Sequence, residues 1–369
     1  MESTRFLIAG AGLAGATTAR ALARAGARHV VLVERESRPG LHASGQNARM
    51  IRALVEDPHQ GKLAIEGAAA LAEYADAREF TFDRAGSLLV GRGPSWEALR
   101  ALLERDRPRG LRGRELSPTE ARARVSLLAR SELEGAIACP DDGTIDSPGV
   151  LAYYLRDALA HGVRTIVHHG VERVDRAAHG TWRVDLVGGA VVEADVLVDA
   201  GGAWATGLAR AWGGQRIELV PLRRHVMDLG PQPDVDPAWP YVWDADGVYF
   251  RTDGNAVHAS PCDEDPVAPG VPGLDPAQLG ALEAKLARRF PALAGRPVWR
   301  MWAGLRTFAS DKQFVIGWDG SCAGLFWVAG LGGHGLTTSP AVGALAARLL
   351  LAGPGAREAP FDPARFLPA

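Results

Sequence analysis

The sequence predicts an α/β (α+β) protein, because an apolar strand, a glycine turn and a helix follow one another in three separate segments. These segments lie at residues 6–25, 194–204 and 325–351. Between the second and the third, residues 217–230 and 241–261 show the alternation of antiparallel strands. One nucleotide-binding fold with an antiparallel sheet inserted in it accounts for both patterns.

The first turn has the spacing of a dinucleotide-binding motif. Gly10, Gly12 and Gly15 form G-x-G-x-x-G between the apolar run at residues 6–9 and an alanine-rich helix. Gly10 permits a tight turn, Gly12 allows close approach of a pyrophosphate, and Gly15 lets the helix pack against the strand. The anion would then lie at the N-terminus of the helix, where free N–H groups and the helix dipole favour it.

Glu34 ends the second predicted strand, nineteen residues after Gly15. A carboxylate at this distance accepts a hydrogen bond from a ribose hydroxyl in Rossmann-like folds, whereas a 2′-phosphate favours a basic residue. A tight βα turn without a ligand is the alternative, but the strand, helix, second strand and acidic residue occur together in the required order. The segment therefore predicts a Rossmann-like domain that binds an adenine dinucleotide, either NAD or FAD.

The rest of the chain alternates between helical and strand patterns. Ser117 and Glu120 have the spacing of a capping box, and Ser339 followed by Pro340 is expected to cap the last helix. The polar stretch at residues 39–52 is expected to be a ligand-facing loop. Helical patterns cover residues 62–75, 96–106, 147–160, 277–290 and 341–351, and strand patterns cover residues 81–84, 86–91, 136–139, 165–168, 172–175, 181–186, 191–193 and 315–317.

Length and charge narrow the class of protein. At 369 residues the chain suits two closely joined domains, and its 47% hydrophobic and 23% charged residues are typical of globular proteins. A net charge of −2 gives no electrostatic signature of nucleic-acid or anionic-membrane binding. We find no apolar run long enough for a transmembrane helix and no signal peptide before the first strand, so we expect a cytoplasmic protein.

The three cysteines give no sign of a metal site or a disulfide framework. Cys139, Cys262 and Cys322 are far apart, without a C-x-x-C pair or a histidine at ligand spacing. We therefore expect free thiols in a reducing compartment and no bound metal.

Several short motifs follow one another in an order that is specific to one family. They are the opening glycine turn, His-Ala-Ser-Gly at 42–45, Asp-Ala-Gly-Gly-Ala-Trp at 199–204, Trp-Ala-Gly-Leu-Arg at 302–306, Val-Ile-Gly at 315–317, and Gly-Gly-His-Gly at 332–335. With these motifs the chain resembles the family of FAD-dependent amino-acid oxidases and dehydrogenases over nearly its whole length. The family includes D-amino acid oxidase, glycine oxidase, monomeric sarcosine oxidase and D-arginine dehydrogenase.

The resemblance implies how an extended FAD would lie. Its pyrophosphate would bind at the first glycine turn, and its adenine would lie near Val171. Its flavin would lie between residues 44–49 and 332–337. The N-terminus of the last helix would direct partial positive charge at the flavin. The resemblance assigns FAD contacts to Gly10, Gly12, Leu13, Ala14, Gly15, Glu34, Arg35, His42, Ala43, Ser44, Gly45, Gln46, Arg49, Val171, Gly201, Trp204, Gly304, Arg306, Gly332, Gly333, His334, Gly335, Leu336 and Thr337.

The resemblance also implies two discontinuous domains. Residues 1–80, 145–215 and 300–369 would form the FAD-binding domain, and residues 81–144 and 216–299 would form the inserted substrate domain.

The resemblance gives candidate substrate residues one at a time. Arg306 matches an arginine that holds the substrate carboxylate in D-arginine dehydrogenase and glycine oxidase, with a structural ion pair as the alternative. Tyr249 matches a substrate-domain tyrosine of D-arginine dehydrogenase, with a core tyrosine as the alternative. Arg223 occupies the family's Pro-x-Arg position, where either Arg223 or Arg224 could point outward.

Two further arginines resemble monomeric sarcosine oxidase instead. There, the residue matching Arg49 lies by the flavin and the residue matching Arg52 binds the carboxylate. Three candidate carboxylate ligands, Arg52, Arg223 and Arg306, suggest a substrate with more than one acidic group or an arginine that faces away. His334 could polarise the site or be structural.

Two differences from sarcosine oxidase bear on the cofactor. The cysteine that attaches FAD there falls near Leu305, so we expect non-covalent FAD. The lysine that activates oxygen there falls near Val257, and no lysine occurs between Lys62 and Lys285. We therefore expect slow reaction with oxygen and transfer of electrons to another acceptor, such as a quinone or a carrier protein.

The leading hypothesis is an FAD enzyme that oxidises the Cα–N bond of a small D-amino acid or N-substituted amino acid. Hydride transfer to the flavin would give an imino acid, which water hydrolyses. The first alternative is a 2-hydroxy-acid dehydrogenase, which needs a general base such as His225, His258 or His334. The second is a flavin-binding subunit that relays electrons and has no substrate pocket.

Overall fold

A computed structural model describes residues 2–177 and 180–367 of the chain. Helices and strands alternate along it and are numbered here in chain order. The helices are α1 Leu13–Arg24, α2 Pro58–Asp76, α3 Pro94–Asp106, α4 Pro118–Arg124, α5 Ser147–Ala160, α6 Ala205–Ala211, α7 Ala277–Arg289 and α8 Ser339–Ala352. The strands are β1 Glu2–Ala9, β2 Val30–Val33, β3 Met50–Ile51, β4 Phe82–Asp83, β5 Ser87–Gly91, β6 Arg114–Leu116, β7 Gly135–Cys139, β8 Gly143–Ile145, β9 Arg164–Ile166, β10 Val171–Arg176, β11 Trp182–Leu186, β12 Val191–Asp199, β13 Leu219–Pro231, β14 Tyr241–Asp244, β15 Val248–Asp253, β16 Ala256–Ser260, β17 Asp265–Pro266, β18 Arg300–Ala309, β19 Val315–Trp318 and β20 Leu325–Ala329.

The first sheet has eight strands, among them the strands of all three predicted strand–glycine–helix segments. Its order is β10-β11-β12-β1-β2-β9, with β20 beside β12 and β19 beside β20. β1 lies between β12 and β2 and is parallel to both, and β12 is parallel to β20. Because parallel strands share a carboxyl edge, the turns after Ala9, Asp199 and Ala329 lie together. The α/β fold class is thus confirmed.

The first and last helices lie side by side on one face of this sheet. The hydroxyl of Thr17 in α1 donates to the carbonyl of Ser339 in α8 at 2.9 Å. A Cβ atom on Gly343 would lie only 2.4 Å from that same hydroxyl oxygen, so the helices approach closely because α8 has a glycine there. Alanines, leucines and valines of both helices share one buried cluster with β1 and β20.

The second sheet has nine strands and is mostly antiparallel. Its order is β17-β13-β16-β15-β14-β5-β7-β6, and β18 pairs with β13 over the ten residues 300–309. The predicted antiparallel strands at 217–230 and 241–261 are therefore confirmed. The division into two discontinuous domains stays a prediction, although β18, which it assigned to the first domain, hydrogen-bonds to the second sheet.

Alternate residues of the second sheet face opposite sides. Met227, Phe250 and Val257 belong to a buried cluster that includes residues of α7. On the other side of the same strands lie Arg224 in β13 and Tyr249 in β15, and β18 adds further polar residues there. This polar side faces the first sheet and forms one end of the cavity described below.

Two helix starts differ from the sequence prediction. The second helix begins at Pro58, four residues before the predicted start, because Asp57 accepts hydrogen bonds from the N–H groups of two first-turn residues. The last helix is not capped by Ser339, so that prediction was wrong. Its N-cap is Thr338, and the Ser339 hydroxyl donates to the carbonyl of Leu336. The capping box of Ser117 and Glu120 is confirmed. Among the helices that the structure describes, none has the length and hydropathy needed to cross a membrane.

Candidate functional site

A cavity of about 450 Å³ runs from the glycine turns of the first sheet to the polar side of the second. At one end its walls include Glu34, Gly170 and Val171, and at the other end they include Tyr249 and Arg306. Both sheets and the loop at residues 40–50 contribute to it. An elongated ligand could therefore contact both sheets at once.

The first glycine turn fits closely against its surroundings. A Cβ atom on Gly10 would lie 2.5 Å from the carbonyl oxygen of Ala200, and one on Gly12 would lie 2.9 Å from the hydroxyl oxygen of Ser44. A Cβ atom on Gly15 would lie 1.9 Å from the carbonyl oxygen of Gly10. α1 begins at this turn with Gly12 as its N-cap, and the N–H of its first residue, Leu13, donates to the Ser44 hydroxyl at 2.9 Å. A helix N-terminus of this kind favours a bound anion.

The carboxylate of Glu34 is held at the end of β2. Its two oxygens accept hydrogen bonds from the N–H groups of Ala11 at 2.9 Å and Glu36 at 3.0 Å. Beside it, the Arg35 guanidinium lies 3.9 Å from the ring centre of Trp204. The ring of His42 lies edge-on to the same indole, at 4.6 Å between ring centres. This end of the cavity is polar and lined by flat side chains.

At the opposite end, Arg306 has a guanidinium without an internal partner. Arg306 lines the cavity, and within the described residues its guanidinium forms no hydrogen bond and no ion pair. A Cβ atom on Gly333 would lie 2.9 Å from its Cζ atom, so the glycine turn after β20 packs directly on the guanidinium. Burial lowers the pKa of Arg306, and the nearby charge of Arg224 helps to lower it to about 10. An anion in the cavity would compensate this cation.

The hydroxyl of Tyr249 is the second group at this end without a partner. Tyr249 is 1% exposed and lines the cavity, and its hydroxyl oxygen is buried with no hydrogen bond. Burial raises its pKa, so the phenol is protonated and can donate. A buried polar group that lacks a partner costs free energy, which a bound acceptor would recover.

Arg223 does not lie on the cavity, which corrects that sequence assignment. Its guanidinium donates to the carboxylates of Asp265 at 3.2 Å and Asp275 at 3.0 Å. Arg224 lines the cavity instead, and it donates to the carbonyl of Asp263 at 2.7 Å and the carboxylate of Glu264 at 2.8 Å. Neighbouring residues of a strand point to opposite sides, so only one of the two arginines can face the cavity.

Arg52 also lies outside the cavity wall, although it was expected to bind the substrate. Both of its terminal nitrogens donate to the carboxylate of Glu56, at 3.2 and 3.0 Å, and the guanidinium lies over the ring of Trp243. The guanidinium of Arg52 therefore already forms a bidentate ion pair with a carboxylate of the chain. Burial, and next the charge of Arg52, lower the pKa of nearby His334 to about 3, so this imidazole is neutral near pH 7.

Most residues that the resemblance assigned to FAD do line the cavity. Gly15, Gly45, His334 and Thr337 are the exceptions; a Cβ atom on Gly15 or Gly45 would meet the backbone of its own turn. Sequence reasoning missed other cavity residues, among them Arg224, Asn47 and Gly170. The assigned residues on the wall are Gly10, Gly12, Leu13, Ala14, Glu34, Arg35, His42, Ala43, Ser44, Gln46, Arg49, Val171, Gly201, Trp204, Gly304, Arg306, Gly332, Gly333, Gly335 and Leu336.

Asp199, at the end of β12, is buried beside the second glycine turn. One carboxylate oxygen accepts a hydrogen bond from the N–H of Gly201 at 2.9 Å, and the other has no partner. Burial raises its pKa to about 8. Since this lies above its value of about 4 in an unfolded chain, Asp199 stabilises the fold fully below about pH 4 and loses that contribution as pH rises through about 8.

Replacing Asp199 by asparagine is therefore expected to flatten the pH dependence of stability. Asparagine keeps an oxygen acceptor for Gly201 but does not ionise, so the variant should lose less thermal stability than the wild type between about pH 5 and pH 9. Melting temperatures measured with saturating FAD across this range test the prediction. Asp195→Asn, an exposed change on the same strand, should follow the wild type. Parallel curves for Asp199→Asn and the wild type would contradict it.

Comparison with known proteins supports the interpretation of the fold. A family model described as "FAD dependent oxidoreductase" matches residues 5–349. The mitochondrial L-2-hydroxyglutarate dehydrogenase of Bos taurus is 24% identical over 282 residues, which are 69% of this chain and 60% of that protein. The chain thus spans less than two thirds of this relative.

Two solved structures share the fold over nearly their whole length. L-proline dehydrogenase from P. horikoshii superposes with a TM-score of 0.88 at 21% identity, covering 99% of this chain and 98% of that one. Glycine oxidase from Geobacillus kaustophilus superposes with a TM-score of 0.85 at 22% identity, covering 100% of both chains.

Proposed function

The protein belongs to the family of FAD-dependent oxidoreductases, and from this premise we propose that it oxidises the Cα–N bond of a small amino acid. The substrate would be a D-amino acid or an N-substituted amino acid, and the product an imino acid that water hydrolyses. The observation that carries this proposal is the uncompensated guanidinium of Arg306 beside the unpartnered hydroxyl of Tyr249.

The cavity fits FAD as the cofactor. The turn at Gly10 and Gly12, where a side chain would collide with its surroundings, would hold the pyrophosphate, and the fixed carboxylate of Glu34 would hold the ribose. Arg49 and the turn at 332–336 would lie by the flavin. When bound, FAD supplies the acceptor for the substrate hydride. The linking cysteine of sarcosine oxidase would fall near Leu305, and none of the three cysteines, all of which the structure describes, lines the cavity, which supports non-covalent binding.

Arg306 and Tyr249 would orient the substrate through its carboxylate. A guanidinium binds a planar carboxylate with two parallel hydrogen bonds, and the phenol donates a third. With the carboxylate fixed at the end of the cavity, the Cα atom would point back along it. No carboxylate lines this end of the cavity within the described residues, so an amine substrate would react in its neutral form.

A 2-hydroxy acid is the second candidate, because the chain resembles L-2-hydroxyglutarate dehydrogenase. Such a substrate needs a general base for its hydroxyl proton. None of His225, His258 and His334 lines the cavity. His225 is also fully occupied, since one ring nitrogen pairs with Asp263 at 2.7 Å and the other accepts from the N–H of Asp275. This geometry favours the amine.

We also propose an electron acceptor other than oxygen. None of the three lysines, all of which the structure describes, lines the cavity. Val257, near which the lysine is expected, is buried on the far side of the second sheet. Its neighbour His258 is on the cavity side, where burial, and next the charge of Arg251, lower its pKa to about 4, so this imidazole is neutral near pH 7.

Anaerobic mixing of the holoenzyme with candidate substrates tests the proposed function. D-amino acids and N-methyl amino acids should bleach the flavin absorbance, and 2-hydroxy acids should not. Bleaching by hydroxy acids alone would favour the second candidate. If none of these compounds reduces the flavin, the proposed substrate class is wrong.

Changing Tyr249 to phenylalanine should lower kcat/KM by about tenfold or more, because a hydrogen bond to a charged group contributes roughly 1.5–3 kcal/mol. Phenylalanine fills the same space, so FAD content should not change. Steady-state kinetics with the best substrate measure the effect. Tyr74→Phe, which removes a hydroxyl bonded to Arg20 outside the cavity wall, is the matched control. Equal kinetics for the two variants would argue against a role for Tyr249.

A further inference from the structure

Several arginines lie around the substrate end of the cavity, and their partners decide how many anions the site can accept. A second carboxylate on a substrate would need a second cation that is not already compensated. The sequence alone left open whether the substrate has one acidic group or more, because it offered three candidate ligands. A guanidinium that is already paired with an acidic residue is not available to a substrate carboxylate, so the partner of each arginine has to be identified.

Most of these guanidinium groups are already compensated. Arg52 has Glu56, Arg223 has Asp265 and Asp275, and Arg224 has Glu264. Of the arginines in these three groups, Arg224 lines the cavity. Arg306 and Arg49 line it without a carboxylate partner in the described part of the chain, and the proposed function assigns Arg49 to the flavin.

Arg224 and Arg306 flank the same end of the cavity. In the pairing of β13 with β18, Arg224 is opposite Gly304, and Arg306 is opposite Leu222. The two arginines are thus diagonal neighbours on one side of the sheet, a position from which long side chains reach each other. Two free guanidinium groups here could hold two carboxylates of one ligand. The carboxylate of Glu264 lies 2.8 Å from Nη2 of Arg224, so the guanidinium of Arg224 is not free to bind a ligand carboxylate.

Glu264 cannot easily leave this position, because residues on both sides of it are anchored to β13. Asp263 accepts hydrogen bonds from the backbone N–H of His225 at 2.8 Å and pairs with its ring at 2.7 Å. On the other side, Asp265 pairs with Arg223 at 3.2 Å. A substrate carboxylate at Arg224 would therefore have to compete with a carboxylate whose neighbours in the chain are fixed on both sides.

We propose that Glu264 is a specificity-determining residue, which occupies Arg224 and so restricts the cavity to substrates with a single carboxylate. This inference rests on the proposed function, because it takes Arg306 as the ligand of the substrate carboxylate. It separates this chain from a relative named for hydroxyglutarate, which is a dicarboxylate. A ligand with a second carboxylate would reach Arg224, whose charge is already compensated by Glu264.

Binding of two unreactive acids to the FAD-loaded enzyme tests the inference. Butyrate and succinate have the same number of carbons, but succinate has a second carboxylate. Dissociation constants come from the change each acid causes in the flavin spectrum. The wild type should bind butyrate more tightly than succinate. Glu264→Gln should tighten succinate binding by about tenfold or more, as expected for removal of one repelling charge, and change butyrate binding by less than about threefold.

Two further variants identify the cause of any gain. Glu218→Gln neutralises an exposed carboxylate just before β13 that does not line the cavity, so neither dissociation constant should change. In an Arg224→Met background, Glu264→Gln should give no gain for succinate, because the released cation is missing. Retained FAD absorbance shows that each variant is folded.

The outcomes separate this inference from the function on which it rests. Succinate binding as tight as butyrate binding in the wild type would overturn the inference alone. So would an equal shift for both acids in Glu264→Gln, or an undiminished gain without Arg224. If neither acid binds to any of these proteins, the carboxylate site at Arg306 is wrong, and the inference fails with it.

Discussion

Replacing Arg306 by methionine is expected to reduce kcat/KM by about 10³-fold, which corresponds to ~4 kcal/mol of lost transition-state stabilisation. Methionine has a similar length but no charge, so the substrate carboxylate would enter a cavity without its cation. Truncating one partner of a buried, hydrogen-bonded charge pair typically costs about 2–5 kcal/mol. Anaerobic flavin reduction at several substrate concentrations measures this loss.

Two controls separate charge from geometry at this position. Arg306→Lys keeps the positive charge but loses the planar fork, so its kcat/KM should lie between those of the wild type and the methionine variant. Arg300→Met removes an exposed arginine of the same strand that does not line the cavity, and should leave kcat/KM unchanged. If Arg306→Met keeps kcat/KM within about threefold of the wild type, another group binds the carboxylate.

Replacing Gly12 by valine should give a colourless protein. The backbone of Gly12 has φ −72° and ψ −174°, an extended conformation that any residue adopts, so backbone strain is not the reason. The added Cβ atom would lie 2.9 Å from the hydroxyl oxygen of Ser44, in the space proposed for the pyrophosphate. Flavin absorbance per polypeptide after dialysis against FAD measures the loss.

Gly280→Ala is the matched control for this change. Gly280 lies in α7, where an added Cβ atom would meet nothing within 4 Å. Alanine is a better helix former than glycine by about 1 kcal/mol, so this variant should keep its colour and be at least as stable as the wild type. A yellow Gly12→Val protein with one FAD per chain would show that the pyrophosphate lies elsewhere.

The fold could be predicted because its strongest signals are local. Each strand–glycine–helix turn occupies a short stretch of the chain, and the spacing of Gly10, Gly12 and Gly15 specifies its geometry. The pairing of β13 with β18 could not be predicted, because it joins residues about eighty positions apart. Such pairing depends on how the whole chain packs, which strand patterns alone do not contain.

The site was harder to predict than the fold, because cations were visible in the sequence but their partners were not. Arg52 was expected to bind the substrate, yet its guanidinium forms an ion pair with Glu56, only four residues later. Arg223 and Arg224 are chemically identical neighbours, and only the strand direction and the acidic loop that follows decide which one faces the cavity. Ion pairing is thus the information that sequence patterns lacked.

The contact between α1 and α8 has a consequence for how the protein is made in the cell. The cavity wall includes residues from Ala9 to Leu336, and α8 packs against α1 through a contact that joins residues 322 positions apart. A nascent polypeptide still attached to the ribosome therefore lacks part of the cavity wall until residue 336 has been synthesised. Cofactor loading therefore follows synthesis of the whole cavity wall, and products that terminate before residue 336 would be colourless.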